Sequence, residues 1–251
     1  MTVMKFLTYN VAHQTRESNK NLPGMAGALA SLSPDIIVLT EYVQGLQHDR
    51  FVADLKDLDF PYTLVSQKTP GENQVLVASR TPLKQGSITP PLVRDAPSVP
   101  SNMLHVCVPD RGCEVLGLRI PAFDDAATIR KEKRNAYWDW ILRTAQEKMD
   151  RPFVIMGDFN TDPAYANADG GVRFTQLEKL SYIHALPKDG DSWWGKSVGG
   201  EYAKRLDHVI LSRHFTVKDA QYRTESEEYF FARNPEAMSD HAALLVEAEL
   251  K

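Results

Sequence analysis

At 251 residues, 43% hydrophobic and 25% charged, the chain has the make-up of an ordinary globular protein and the length of one large core, so a single domain over residues 1–251 is expected. Its formal net charge of −4 lacks the basic excess of a bulk nucleic-acid binder, though a local basic groove stays open. No apolar run is long enough to span a bilayer, and polar Tyr9-Asn10 follows Met1 to Leu7 too soon for a secretory signal, which makes the cytoplasm the expected location.

Lys5 to Val11 reads as a first strand and Asp35 to Thr40 as a second, with Gly24 to Leu32 as a short helical connection. Each strand runs into a polar side chain, Asn10 after the first and Glu41 after the second; singly, either is explained as a turn residue. Val43 to Leu58 has the pattern of an amphipathic helix. Strand-like pieces follow at Tyr62 to Ser66, Gln74 to Ser79, Ser87 to Thr89, Met103 to Val108 and Glu114 to Ile120. Between them, Thr89-Pro90-Pro91 and Ala96 to Ser101 are proline-rich loops too short for interdomain linkers. Cys107 and Cys113 flank a hairpin-turn sequence; a small disulfide loop is geometrically conceivable, but reduced thiols are expected where no export signal precedes them.

Asp124 and Asp125 precede a helical run from Ala126 to about Met149, an order that suits the helix dipole. Ile129, Ala136, Tyr137, Trp140, Ile141, Thr144, Ala145 and Met149 share one face of it. Opposite them Arg130, Lys131, Arg134 and Arg143 are interleaved with Glu132, Asp139 and Glu147, the composition of a solvated face rather than of a nucleic-acid patch. Next, Phe153 to Met156 is a continuous apolar run of the kind buried on both faces of a sheet, and it ends abruptly in Gly157-Asp158-Phe159-Asn160, with Asp162-Pro163 as a turn. Trp193-Trp194, in a loop between glycine-rich segments, reads as a stacking platform for a base or sugar or as a core anchor. Ala203 to Ser212 is a strand with Thr216 to Tyr222 as its expected neighbour, and Ala242 to Leu250 is a last, alternating strand preceded by Ser239-Asp240-His241.

Strand ends therefore carry Asn10, Glu41, Asp158 with Asn160, Asp207, and Asp240 with His241, and a parallel or mixed sheet can gather all of them at one rim. Mg²⁺ takes hard oxygen ligands, so Glu41 with Asp240 or Asp158 would suit it, while no Cys/His set of a structural zinc is present. His241 is the natural general acid or base and needs a carboxylate to fix its tautomer.

Thr8-Tyr9-Asn10-Val11, Leu39-Thr40-Glu41, Gly157-Asp158-Phe159-Asn160, Arg205-Leu206-Asp207-His208 and Ser239-Asp240-His241, in this order, resemble the motifs of the endonuclease/exonuclease/phosphatase superfamily of metal-dependent phosphoesterases. The resemblance implies an α/β four-layer sandwich of two packed mixed β-sheets flanked by helices. It makes Glu41 the principal ligand of Mg²⁺ or Mn²⁺ with Asn10 and Asp240 nearby, has Asp207 hold His241, and sets Asp158 and Asn160 to orient the attacking water. Either His241 or Asp158 is then the base. Arg119 stands where many members carry histidine or tyrosine and is expected to clamp a phosphate oxygen. Ala12 occupies the position at which abasic-site nucleases carry an additional acid, which weakens that particular reading. The expected function is hydrolysis of a nucleic-acid or nucleotide phosphodiester, with Trp193 and Trp194 binding substrate and no obligate protein partner. The alternatives are a phosphatase or phospholipase-C-type enzyme acting on a phosphoinositide, sphingomyelin or another small phosphate ester, and a non-catalytic phosphate-binding scaffold.

Overall fold

The computed structural model describes residues 2–13, 22–91, 100–122, 127–164 and 170–251; Asp124, Asp125 and residues 96–99 of the proline-rich loop lie outside them. In chain order the elements are β1 (Thr2–Asn10), α1 (Leu22–Ser31), β2 (Ile36–Tyr42), α2 (His48–Asp57), β3 (Tyr62–Val65), β4 (Gln74–Ser79) and β5 (Lys84–Gln85). There follow β6 (Met103–Val108), β7 (Cys113–Arg119), α3 (Ala127–Lys148), β8 (Phe153–Asp158), α4 (Gly171–Lys179) and β9 (Ile183–His184). The chain ends with β10 (Trp193–Ser197), β11 (Gly200–Lys204), β12 (Asp207–Leu211), β13 (Phe215–Arg223), β14 (Glu225–Ser226), β15 (Tyr229–Phe230) and β16 (Ala243–Leu250).

Two six-stranded sheets result, ordered β13-β16-β1-β2-β4-β3 and β5-β6-β7-β8-β12-β9. Both are mixed, with β1 parallel to β2 and β7 parallel to β8 among antiparallel neighbours. The period-two side-chain alternation of a strand separates the core into layers. In β1, Met4 and Phe6 join the cluster between the sheets, whereas Leu7 and Tyr9 pack outward against Met25, Leu29 and Phe51 of α1 and α2. In β8, Val154 and Met156 face the other sheet, while Phe153 and Ile155 pack on Tyr137, Trp138 and Ile141 of α3. Helix, sheet, sheet, helix is the four-layer arrangement, and every residue of β8 is buried.

Several boundaries differ from expectation. The second helix begins at His48, not Val43, because the chain turns at Val43–Gly45. Ser87 to Thr89 is not a strand; only Lys84–Gln85 pairs with β6. Residues 216–222 do not neighbour β12: β13 pairs with β16 in the other sheet, since two antiparallel edges were equally open to it in sequence. Trp193 and Trp194 lie on strand β10 of a two-stranded ribbon, not in a loop. On α3, Ile129 is exposed, and fully buried Trp138 takes a central core position instead. Cys107 and Cys113 are both free.

Candidate active site

One rung of the second sheet aligns three of the expected residues: Arg119 is the register partner of Asp158 across β7 and β8, and Asp158 of Asp207 across β8 and β12. In the first sheet Asn10 ends β1 opposite Thr40 of β2, which puts Glu41 one residue further along the rim. The amide of Asn10 joins the two groups, donating from Nδ2 to Asp158 Oδ2 at 3.0 Å.

Local backbone explains why these residues stand here. At Gly157, φ is +145°, and a Cβ would lie 1.9 Å from the carbonyl oxygen of Leu118, so only glycine allows β8 this approach to β7. Beyond it the Asn160 N–H donates to Asp158 Oδ1 at 2.8 Å, and Asn160 Nδ2 donates to the Ile120 carbonyl and to Asp158 Oδ2 at 2.8 and 3.1 Å. Asn160 (φ +45°) and Glu41 (φ +54°) hold left-handed conformations, as do Ala12 and His13. Strain of this kind costs about 1–3 kcal/mol per residue and concentrates where geometry serves chemistry.

Asp207 is fully buried and accepts from His241 Nδ1 at 2.7 Å, while its Oδ1 has no hydrogen-bond partner among the described residues. Ser239 Oγ donates to the Asn10 carbonyl and accepts from the His241 N–H, fixing the histidine's loop to the end of β1. Burial and the negative charge of Asp207 push the Asp158 carboxyl up, against the pull of His241, Arg119 and the Asn160 N–H. For His241, burial disfavours the imidazolium, but the charge and hydrogen bond of Asp207, with Asp158 and Asp240, outweigh it and raise the ring to about 9. A carboxyl inclined to hold a proton and an imidazole inclined to hold two thus flank one amide, Asn10; its Nδ2 is 3.4 Å from His241 Nε2, a hydrogen bond only in the neutral ring, since two N–H donors cannot share it.

Arg119 meets this group, but its guanidinium is spent largely on protein: it pairs with Glu41 Oε1 at 2.7 Å and lies 3.7 Å from Asp158 Oδ2. The other oxygen of Glu41 is 3.0 Å from His13 Nε2. Asp240, exposed, accepts from the Trp193 indole at 2.8 Å, so this tryptophan orients an acid of the rim. A divalent ion fits the donor chemistry here, since the carboxylate of Glu41 and the amide oxygen of Asn10, which accepts from the Ala12 N–H, are hard oxygen donors at adjacent strand ends. Trp194 lies under the Arg233 guanidinium, 5.2 Å from the ring centroid, beside a cavity of about 420 Å³ that reaches Ser239 and Asp240. A larger cavity, about 620 Å³, lies at Lys188, Val217 and Tyr222 and is lined by none of the expected site residues.

His105, Cys107 and Glu114 form a second group of metal-competent side chains that the sequence did not suggest. The Ile88 N–H donates to His105 Nδ1, so the ring's proton is on Nε2 and is given to Glu114 Oε2 at 2.8 Å; both nitrogens are engaged, and Lys148 also holds Glu114. These contacts make it an ion-paired knot at the opposite end of β7 from Arg119. Also missed were Ser192, whose Oγ accepts from the Leu206 and Asp207 N–H groups, and His208, whose Nε2 donates to the Thr161 carbonyl. Only the packed fold brings Ser192 to the site, whereas His208 follows Asp207 directly in the chain.

Two packed mixed sheets thus gather carboxylates, an amide and a histidine at one rim. The model of the Endonuclease/Exonuclease/phosphatase family matches residues 7–241, and the chain belongs to that family. Its hydrolytic phosphoesterase character follows from this membership. Among solved structures it resembles a 3′ phosphatase, NExo, from Neisseria bound to product DNA hairpin, at 22% identity and a TM-score of 0.69 over 99% of each chain. It also resembles an AP endonuclease from Archaeoglobus fulgidus, at 17% identity and TM-score 0.72 over 99% of each chain. A third, a mannosyl-6-phosphatase from Bacteroides thetaiotaomicron, has 17% identity and TM-score 0.66 over 98% of this chain and 100% of that one. At these identities the likeness is one of fold. No curated protein matches in sequence. No helix among the described residues is long and apolar enough to cross a membrane.

Proposed function

We propose that the chain is a Mg²⁺- or Mn²⁺-dependent phosphodiesterase that hydrolyses a nucleic-acid or nucleotide phosphoester by attack of water on phosphorus, working as a single cytoplasmic domain. The observation that carries this reading is the buried Asp158 and His241 held either side of Asn10, with Asp207 behind the histidine. Glu41, with Asn10 and Asp240, would hold the ion, which when bound neutralises phosphoryl charge and lowers the pKa of its water. Asp158, fixed by Asn10 and by both nitrogens of Asn160, orients the attacking water and receives its proton. His241, kept cationic by Asp207, stabilises the charge that develops on the phosphate oxygens. Arg119 keeps Glu41 in place and adds fixed positive charge to the rim. The aromatic and cationic pair of Trp194 and Arg233 beside Asp240 supports a base-bearing substrate. The free cysteines support a reducing compartment.

The test is hydrolysis of bis(p-nitrophenyl) phosphate, p-nitrophenyl phosphate and plasmid DNA with Mg²⁺, Mn²⁺ or EDTA. EDTA-sensitive cleavage of the diester and DNA is expected. Turnover of the monoester alone would move the assignment to a small-ester phosphatase, and inactivity on all three would favour the scaffold.

A further inference from the structure

The non-glycine residues Ala12 and His13 adopt consecutive left-handed conformations, φ +45° and +60°, one residue beyond the end of β1. That kink delivers the His13 ring to Glu41, which is itself left-handed at φ +54°. Nδ1 of His13 is 2.7 Å from Asn73 Oδ1, an acceptor, so Nδ1 carries the hydrogen and Nε2 is the nitrogen that faces Glu41 Oε2, at 3.0 Å. Two electron-rich atoms at that separation require a cation between them or a proton. The spacing suits both, because an N–H···O hydrogen bond has about this length and two neighbouring ligands at right angles about 2.1 Å from an octahedral ion are also about 3.0 Å apart. A ring nitrogen backed by a side-chain carbonyl on its far side is also the usual arrangement of a metal-binding histidine. Arg119 occupies the opposite oxygen of Glu41 and so leaves Oε2 to this side. The His13 side chain is partly exposed, at 42%.

We infer that His13 Nε2 is a metal ligand alongside Glu41 Oε2, positioned by Asn73, and that it turns the site towards Mn²⁺ and similar nitrogen-accepting ions over Mg²⁺. This rests on the metal-dependent reading of the same rim. Imidazole suits transition ions, whereas Mg²⁺ prefers an all-oxygen shell. Mg²⁺ therefore gains little from the ring.

The test is calorimetric titration of the EDTA-treated, dialysed full chain with Mn²⁺ and, separately, Mg²⁺, comparing the parent with His13→Ala and Asn73→Ala. His13→Ala is expected to weaken Mn²⁺ binding roughly tenfold or more while changing Mg²⁺ binding by less than about threefold. Asn73→Ala is expected to fall between parent and His13→Ala for Mn²⁺, because it loosens the ring without removing it. Thermal melting of the metal-free variants checks that the fold survives. An unchanged ratio of Mn²⁺ to Mg²⁺ affinity in His13→Ala would overturn the inference and leave the phosphoesterase assignment standing; it would make the His13–Glu41 contact a purely structural one. Failure of the parent to bind either ion would overturn both.

Discussion

At the scale of single residues, the side chain whose surroundings are most specific to chemistry is Asp158. It has three hydrogen-bond donors on its two oxygens, yet burial and Asp207 still raise its pKa. Asp158→Asn removes the proton acceptor and also the repulsion from Asp207, but it sets a new NH₂ group against the donors that Oδ2 accepted. The opposed changes leave stability in EDTA within about 1 kcal/mol of the parent, while the hydrolytic rate falls about 10³-fold, within the usual range for a lost general base. Urea titration and diester turnover check the two halves, and a variant turning over at the parental rate would remove Asp158 from the proton transfer. The residues that strand-end polarity and motif order made legible, Asn10, Glu41, Asp158, Asn160, Asp207 and His241, do converge at one rim. His13 was not legible: nothing in local sequence says that two non-glycine residues will turn left-handed and point a ring at Glu41. The Arg119 contact was half legible, since position on β7 follows from pattern but the choice of Glu41 as partner depends on how the two sheets meet.

At the scale of elements, the glycines of β7 and β8 offer a contrast that tests how the rim is built. In Gly157→Ala the new Cβ would meet backbone, the Leu118 carbonyl, and φ would remain at +145°. In Gly117→Ala it would meet side-chain methyls rather than backbone, Val38 Cγ1 at 2.9 Å and Val75 Cγ1 at 3.0 Å. Gly157→Ala should therefore cost roughly 3 kcal/mol or more and displace Asp158, whereas Gly117→Ala should cost about 1–2 kcal/mol as ordinary overpacking. Chemical unfolding of both variants measures the order, and a reversed order would contradict this account of the β7–β8 contact. The same pair of strands shows what periodicity can and cannot give. The apolar run of β8 announced a strand buried on both faces, because neither face needs polar residues. The partner of β13 could not be read in this way, since its half-exposed pattern suits an edge of either sheet. Trp193 and Trp194 were hidden as strand residues by Gly195 and Gly200, which interrupt the alternation on which a ribbon is recognised.

At the scale of the whole molecule, two buried histidine arrangements tie stability to pH in opposite directions. His208 Nε2 donates to the Thr161 carbonyl, so its neutral Nδ1 accepts from His184 Nε2 at 3.1 Å; the pair is enclosed by Phe159 and Phe174. Burial lowers His208 to about 4 from an ordinary 6.5, and lowers His184 as well, so their contribution is fully present above pH 6.5 and is lost as pH falls towards 4. For His208 alone the shift corresponds to about 3 kcal/mol. His241 has the reverse sign: raised to about 9, it contributes fully below pH 6.5 and loses that contribution as pH rises towards 9. Asp158, also raised, loses its contribution as pH climbs from its ordinary carboxylate range to about 7 and so offsets part of the acid-side gain, which two histidines supply against this one carboxyl. The metal-free protein should consequently show greatest resistance to urea near pH 6.5 and fall off on both sides, the acid limb starting above the range in which most carboxylates titrate. Unfolding midpoints in EDTA measured from pH 4 to pH 9 test the shape. His208→Asn should flatten the acid limb and His241→Asn the alkaline one, and a midpoint that climbs steadily up to pH 9 in the parent would show that His241 is not held cationic by Asp207.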